Sequence, residues 1–301
     1  MTAAVPLCDE RMTAGPGGDF RWCAGAMQNE TKPRRTLIRP RQRRPAAAVA
    51  ALTMAAGAVL AGCGGSAGTG VRSEPAPSAS AHAKDKKVLW LGDSIAGVEA
   101  LPLGAALKAS GVGFRNDSSD GGGTIVEGDK MSLPIARSTW KRLRKDLASY
   151  RPDVLAYQIT TYDWGTPQQQ RASYEKLAKA AGNAGADLVI VSAPPFKVDD
   201  FYKKHAADIE SAPKAAAKVA DADGAKVAFA DASALWGTDA GAAKAQRSAD
   251  GIHSCQQGSA AFAKWFTERL GKRYGFAPAP PDEWATGPWV SNQRYAKLGC
   301  K

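Results

Sequence analysis

Five short, almost uninterrupted apolar runs alternate with segments of helical periodicity. No other feature of this chain constrains its fold as strongly. The runs are Lys87–Leu91 (KVLWL), residues 112–116, Val154–Ile159 (VLAYQI), Leu188–Val191 (LVIV) and Val227–Ala230. Runs of this length without polar alternation read as strands buried on both faces. Residues 96–110, 135–149, 168–183, 203–222 and 257–273 read as helices. Trp140, Leu143 and Leu147 share one face of the second, and Tyr174, Leu177 and Ala181 one face of the third. Phe262, Phe266 and Leu270 do so in the last, and Pro213 is a candidate kink in the fourth. Buried strands separated by helices predict a parallel sheet, and right-handed crossovers place helices on both of its faces. The expected fold class is therefore α/β: a three-layer α/β/α sandwich with a five-stranded parallel sheet. Residues 87–301 suffice for one such domain, ending in a Pro/Trp-rich tail from about residue 276.

In this architecture ligands lie outside the carboxyl ends of the strands. The residues to inspect are therefore Gly92-Asp93-Ser94, Asn116–Gly123, Thr160–Trp164, Ala193–Phe196 and the segment after Asp231. Ser94 directly follows the first strand at a turn into a helix. Its hydroxyl would face the crevice, and its amide would lie where a helix N-terminus gathers positive dipole. That suits a nucleophile whose intermediate carries an oxyanion. The alternative is that Ser94 or Asp93 only caps the helix. The chain has three histidines, His82, His205 and His253. Only His253 lies near a strand-end loop and directly before a helix. Asp250, three residues earlier, is within reach of its ring and would fix the tautomer, leaving the other nitrogen to act as base on Ser94.

These segments together resemble the SGNH (GDSL-type) hydrolase superfamily. Leu91-Gly92-Asp93-Ser94 is similar to the first block of that family, Asn116–Thr124 (NDSSDGGGT) to the second, and Asp250-Gly251-Ile252-His253 to the last. The resemblance covers residues 87 to about 272. It implies a flavodoxin-like sandwich, Ser94 as nucleophile, His253 as base and Asp250 as its orienting acid. It also implies an oxyanion hole with amides from Ser94 and Gly121. One block departs: where the family often has Gly-x-Asn-Asp, this chain has Thr160-Thr161-Tyr162-Asp163. Tyr162 takes the place of the Asn, so Tyr162 or Gln158 is the candidate third donor. Water as acceptor would make the chain an esterase, and a sugar hydroxyl an O-acyltransferase. The alternative function is a weak or inactive lipoprotein of the same fold that binds cell-wall polysaccharide. Tyr162 and Trp164 favour it, because aromatic faces suit sugar rings.

The amino-terminal part reads as an address. Residues 32–44 (KPRRTLIRPRQRR) are basic, residues 46–61 are sixteen small or apolar residues, and Leu60-Ala61-Gly62-Cys63 follows. That order is a secretory signal, and it is short for a spanning helix, which needs about 20 apolar residues. Leu-Ala-Gly-Cys resembles the bacterial lipobox, which implies cleavage before Cys63 and lipid on it. Residues 1–62 are thus expected to be removed, with Met27 a better start for a signal than Met1. Residues 63–86 form a Gly/Ser/Ala/Pro-rich tether. The expected location is the outer side of a bacterial cell membrane, or the extracellular space after release.

Removing Cys8, Cys23 and Cys63 from the five cysteines leaves Cys255 and Cys300. Two leftover cysteines in an exported protein are expected to pair, which would pin the tail near His253. Of the charged residues, nine Lys and Arg against four Asp and Glu fall in residues 1–63. That leaves 31 against 25, a net charge of about +6, too mild to favour nucleic acid as partner. No cofactor and no metal site is expected. The glycines lack a following Gly-Lys-Ser/Thr, and no calcium loop with a terminal Glu is present. The expected partner is an ester-bearing small molecule or a cell-envelope glycan, engaged by a monomer held at the membrane by its lipid.

Overall fold

The computed structural model describes residues 86–300. The segments expected to be a signal and a tether, with Cys8, Cys23, Cys63 and His82, lie outside the described residues. The elements run β1 (Lys87–Leu91), α1 (Ser94–Ala109), β2 (Gly113–Asn116), α2 (Ser132–Tyr150), β3 (Val154–Gln158) and α3 (Pro167–Asn183). They continue with β4 (Asp187–Val191), α4 (Ala206–Ala222), β5 (Val227–Ala230), the single turn α5 (Ser233–Trp236), α6 (Gln256–Tyr274) and α7 (Gln293–Lys297). All five strands are parallel, in the order β2-β1-β3-β4-β5. This is the α/β sandwich that the alternation of apolar runs predicts.

Alternate strand residues feed the two outer layers. Leu89, Leu91, Leu155, Tyr157, Leu188 and Ile190 face α2, α3 and α4, where they bury Trp140, Leu143, Tyr174, Leu177, Ala216 and Val219. Val88, Trp90, Val154, Ala156, Val189 and Val191 face α1 and α6, burying Leu103, Leu107, Phe262, Phe266 and Leu270. Trp90 lies 5.7 Å from Phe262 and 5.5 Å from Phe266, ring centre to ring centre. The connection from β1 runs outward to β2, while that from β2 crosses back to β3. The chain therefore reverses direction between β1 and β3, and a crevice opens there at the carboxyl ends of the strands.

Several boundaries differ from the sequence expectation, among them α2, which begins at Ser132 rather than residue 135. Helix α1 begins at Ser94 rather than residue 96, because the Asp93 carboxylate accepts from the Ile95 N–H at 2.9 Å and closes the cap. The helix expected over 203–222 divides into a 3₁₀ turn, Lys203–His205, and α4, which runs through Pro213. The tail also contains regular structure: 3₁₀ turns at Pro281–Glu283 and Pro288–Ser291 precede α7. Trp284 and Trp289 are buried in it.

Candidate active site

The site grows from the turn after β1. Gly92 is required by packing, since a Cβ there would lie 2.5 Å from that of Ala96. Asp93, buried, does the capping, and Ser94 is thereby left with a free side chain at the first position of α1. The second Asp93 oxygen accepts from the Thr161 N–H at 2.8 Å and hydroxyl at 3.1 Å. Burial pushes the Asp93 carboxyl upward, and the bonds from Thr161 and Ile95 oppose it. Asp93 thus ties the Ser94 turn to the loop after β3 across the crevice.

Residues 159 apart in sequence meet here: His253 Nε2 lies 2.8 Å from Ser94 Oγ. His253 Nδ1 lies 2.7 Å from Asp250 Oδ2. The other Asp250 oxygen accepts from Ser248 Oγ at 2.7 Å and from the amides of Ile252 and His253 at 2.8 and 3.0 Å. Burial works upward on Asp250, but these bonds, led by that from His253, outweigh it and hold the carboxyl down at about 2. A carboxylate so held fixes the imidazole with its proton on Nδ1, so Nε2 is free to accept one from Ser94.

The loop after β2 supplies the glycines. The Gly121 N–H is turned to Ser119 Oγ at 3.3 Å, and this glycine is exposed. The next two are buried and have positive φ, 102° at Gly122 and 53° at Gly123. A Cβ on Gly123 would lie 2.0 Å from the Gly92 carbonyl oxygen. The loop therefore touches the Ser94 turn at Gly123, a contact that no other residue type permits. Among the described residues the amides of Gly122 and Gly123 have no acceptor. The amides without an acceptor thus lie one and two residues beyond Gly121, and of these Gly123 is the one in contact with the Ser94 turn. Spacing from Asn116 alone does not show this.

Tyr162 forms a wall of the crevice. Its ring lies 4.7 Å from that of Trp164 and would contact a Cβ on Gly122 at 3.1 Å. Burial raises its hydroxyl, with a hydrogen bond from Tyr202 acting against this. Gln158, the other candidate donor, is buried, and its amide is committed to Glu99 Oε2 at 2.6 Å. Trp164 is fully buried and stacks on His205, with ring centres 3.6 Å apart, so its face is closed to any ligand. The exposed aromatic of the rim is Phe201, 6.1 Å from Tyr162.

Two buried carboxylates escaped sequence reasoning. Asp163 accepts from Thr124 Oγ1, Tyr157 OH, Thr160 Oγ1 and Tyr174 OH, all within 2.6–2.7 Å. It ties the loop after β3 to the glycine loop. Its place in the third block was the only signal available. Glu99, on α1, accepts from Gln158 and, at 3.3 Å, from Ser254, the residue after His253. Burial pushes Glu99 up to about 7, against the attraction of Arg247 and the Gln158 bond. The folded protein thus holds this proton more tightly than the unfolded chain. Its stability contribution is complete below the ordinary value of 4.5 and is lost as pH rises to about 7. The loss amounts to about 3 kcal/mol at most. Thermal unfolding from pH 5 to pH 8 should therefore show a steeper decline in melting temperature for the wild type than for Glu99→Gln. Parallel curves would mean that Glu99 is ionised throughout.

A second feature lies farther along the same edge. A cavity of about 690 Å³ is bordered by Ile159, Pro195, Phe196, Ile209 and Phe229, and neither Ser94 nor His253 reaches it. Cys255 and Cys300 form a disulfide, with Cα atoms 5.6 Å apart. On the basic helix α2, Arg142 pairs with Asp117 at 3.2 Å, while Lys141, Arg144 and Lys145 are exposed. No cluster of metal-ligating side chains occurs among the described residues.

No family model matches the chain, and no curated protein does. Among solved structures, it is similar to a GDSL-like lipase from Bacteroides thetaiotaomicron, at 16% identity over 63% of this chain and 90% of that one, with a TM-score of 0.48. It is also similar to a mutant acetyl-xylooligosaccharide esterase from Geobacillus, at 16% identity over 62% and 95% of the two chains, with a TM-score of 0.43. An alpha/beta hydrolase enzyme from the metagenome of Lake Arreo is similar at 16% identity over 62% and 95%, with a TM-score of 0.42.

Proposed function

We propose that this chain is an exported, lipid-anchored serine ester hydrolase or O-acyltransferase of the SGNH type, acting on ester groups such as those of cell-envelope glycans. One observation carries the reading: the unbroken relay from Asp250 through His253 to Ser94, at 2.7 and 2.8 Å. In this reading Ser94 Oγ attacks the ester carbonyl as His253 Nε2 takes its proton. Asp250 stabilises the imidazolium without taking the proton itself. The carbonyl oxygen becomes an oxyanion, held by the Ser94 amide and by an amide of the glycine loop, that of Gly121 or the acceptor-free amides of Gly122 and Gly123. The tetrahedral intermediate collapses, His253 protonates the departing alkoxide, and an acyl ester remains on Ser94. Water or a sugar hydroxyl, deprotonated by His253, then attacks the acyl carbonyl; the bond to Ser94 Oγ breaks, and His253 returns the proton to that oxygen.

Tyr162 stands where the family has its side-chain donor and serves as the third donor in this scheme. Phe201 on the rim gives a sugar ring an apolar face and equally supports the second reading, a glycan-binding lipoprotein. A fluorophosphonate probe separates the two. Labelling of the wild type, absent in Ser94→Ala, is the expected result, and an unlabelled protein that binds wall glycan establishes the second reading. The anchor is tested separately. Wild type is expected in the membrane fraction and Cys63→Ala in the soluble one, whereas identical fractionation removes the lipid from the proposal.

A further inference from the structure

The tail after α6 returns to the site and touches the three segments that carry it. On the nucleophile helix, the buried Tyr295 hydroxyl donates to the Val98 carbonyl at 2.9 Å. On the histidine segment, Cys300 is bonded to Cys255, two residues after His253. On the glycine loop, Arg294 makes a two-pronged contact with Asp120, Nη1 to Oδ1 at 2.8 Å and Nη2 to Oδ2 at 3.0 Å. The guanidinium reaches Asp120 across the first turn of α1, and it does so only because residue 97 has no side chain. A Cβ on Gly97 would lie 2.6 Å from Arg294 Nη1 and 3.4 Å from Asp120 Oδ1.

Asp120 immediately precedes the three glycines. Such a run has the largest conformational freedom of any tripeptide and no side chain to restrain it. The loop is fixed at its start by the Ser119 N–H bond to the Gly92 carbonyl at 2.9 Å, and at its end by Thr124 on Asp163 at 2.6 Å. Between these points, Asp120 is the residue whose side chain is tied to another part of the protein. A planar two-pronged pair sets direction as well as distance.

We infer that Arg294 is a positioning residue: through Asp120 it holds the glycine loop so that its amides face the oxyanion formed at Ser94. This rests on the ester-hydrolase reading above. Both partners are substantially exposed, 41% for the Arg294 side chain and 68% for that of Asp120. An exposed pair contributes about 1 kcal/mol or less to stability. One oxyanion donor is worth about 100-fold or more in rate, so a donor left loose costs a good part of that.

The experiment compares wild type, Arg294→Gln, Arg294→Lys and the swapped pair Arg294→Asp with Asp120→Arg. Kinetics on p-nitrophenyl acetate and hydrogen exchange across residues 118–124 are read for each. Arg294→Gln should lower kcat about tenfold or more with KM within about twofold, and should speed exchange in the loop while the melting temperature changes little. Arg294→Lys, with one prong, should fall between, and the swapped pair should recover both readouts in part. Unchanged kcat, or loop exchange equal to wild type in Arg294→Gln, overturns the inference. A wild type that neither turns over esters nor labels with fluorophosphonate overturns the hydrolase reading instead. Loop exchange then still decides whether Arg294 holds the loop.

Discussion

Ser94→Ala and His253→Ala should each lower kcat/KM on a short acyl ester by about 10³-fold or more, and the double variant should be little worse than either. Non-additivity of this kind is the signature of groups that act as one unit. The geometry behind it is the 2.8 Å contact of His253 Nε2 with Ser94 Oγ. Without the imidazole the hydroxyl stays protonated, and without the hydroxyl the imidazole has nothing to activate. Asp250→Ala should be the milder loss, because the oxyanion donors and the base remain while only the ring's orientation and charge balance suffer. Because the hydrogen bonds on Asp250 hold its carboxyl at about 2, it stays anionic through any working pH. Loss of activity in acid would therefore not come from Asp250, whereas Glu99, pushed up to about 7 by burial, is a carboxyl near the site that titrates in a working range. Profiles of Glu99→Gln and wild type that coincide would exclude Glu99 as the source of an acid limb. Single variants whose losses multiply in the double variant would dissolve the triad into independent contributions.

Removing the Cys255–Cys300 bond should lower stability by about 4 kcal/mol. The bond closes a loop with a sequence separation of 45 residues, and in the chain-entropy model the gain comes from restricting the unfolded chain. For a domain of this size that amounts to a fall of about 8–16 °C in melting temperature. The folded state itself should change little, because Trp289 and Tyr295 stay packed against Val98 whether or not the sulfurs are joined. Melting curves of Cys255→Ser/Cys300→Ser against the oxidised wild type provide the measurement. Midpoints within about 2 °C of each other would show that the unfolded chain is already restricted over this loop without the bond.

How much of this was legible beforehand follows from what a sequence encodes locally. An apolar run bounded by polar turns states its own burial, so β1, β3, β4 and β5 lie within about a residue of their sequence limits. Strand β2, also close to its limits, is an edge strand exposed at Gly113 and Asn116 and not, as expected, buried on both faces. Trp140, Leu143 and Leu147 in α2, and Phe262, Phe266 and Leu270 in α6, are buried as their spacing requires. Because ligands of an open parallel sheet gather at its carboxyl edge, motif position narrowed the candidates to a few loops. Cysteine pairing followed from counting.

What the sequence does not carry is anything that depends on which atom faces which. Helix α1 starts at Ser94 because Asp93 turns one oxygen to the Ile95 amide and the other to Thr161, a residue 68 positions away. The glycine whose amide is available is set by φ and by the 2.0 Å approach to the Gly92 carbonyl, and not by its count from Asn116. Trp164 reads as a platform in the sequence, yet it is buried under His205. Glu99 and Asp163 look like ordinary surface carboxylates until the sheet order and the helix packing enclose them. The sequence alone therefore determined the layers, the strand limits and the segments that line the edge. Tertiary structure decided which donors remain free, which carboxylates are desolvated and where the tail rests. The physical reason is that burial of a face is written in local periodicity, whereas hydrogen-bond partnership and desolvation arise only when distant segments are brought together.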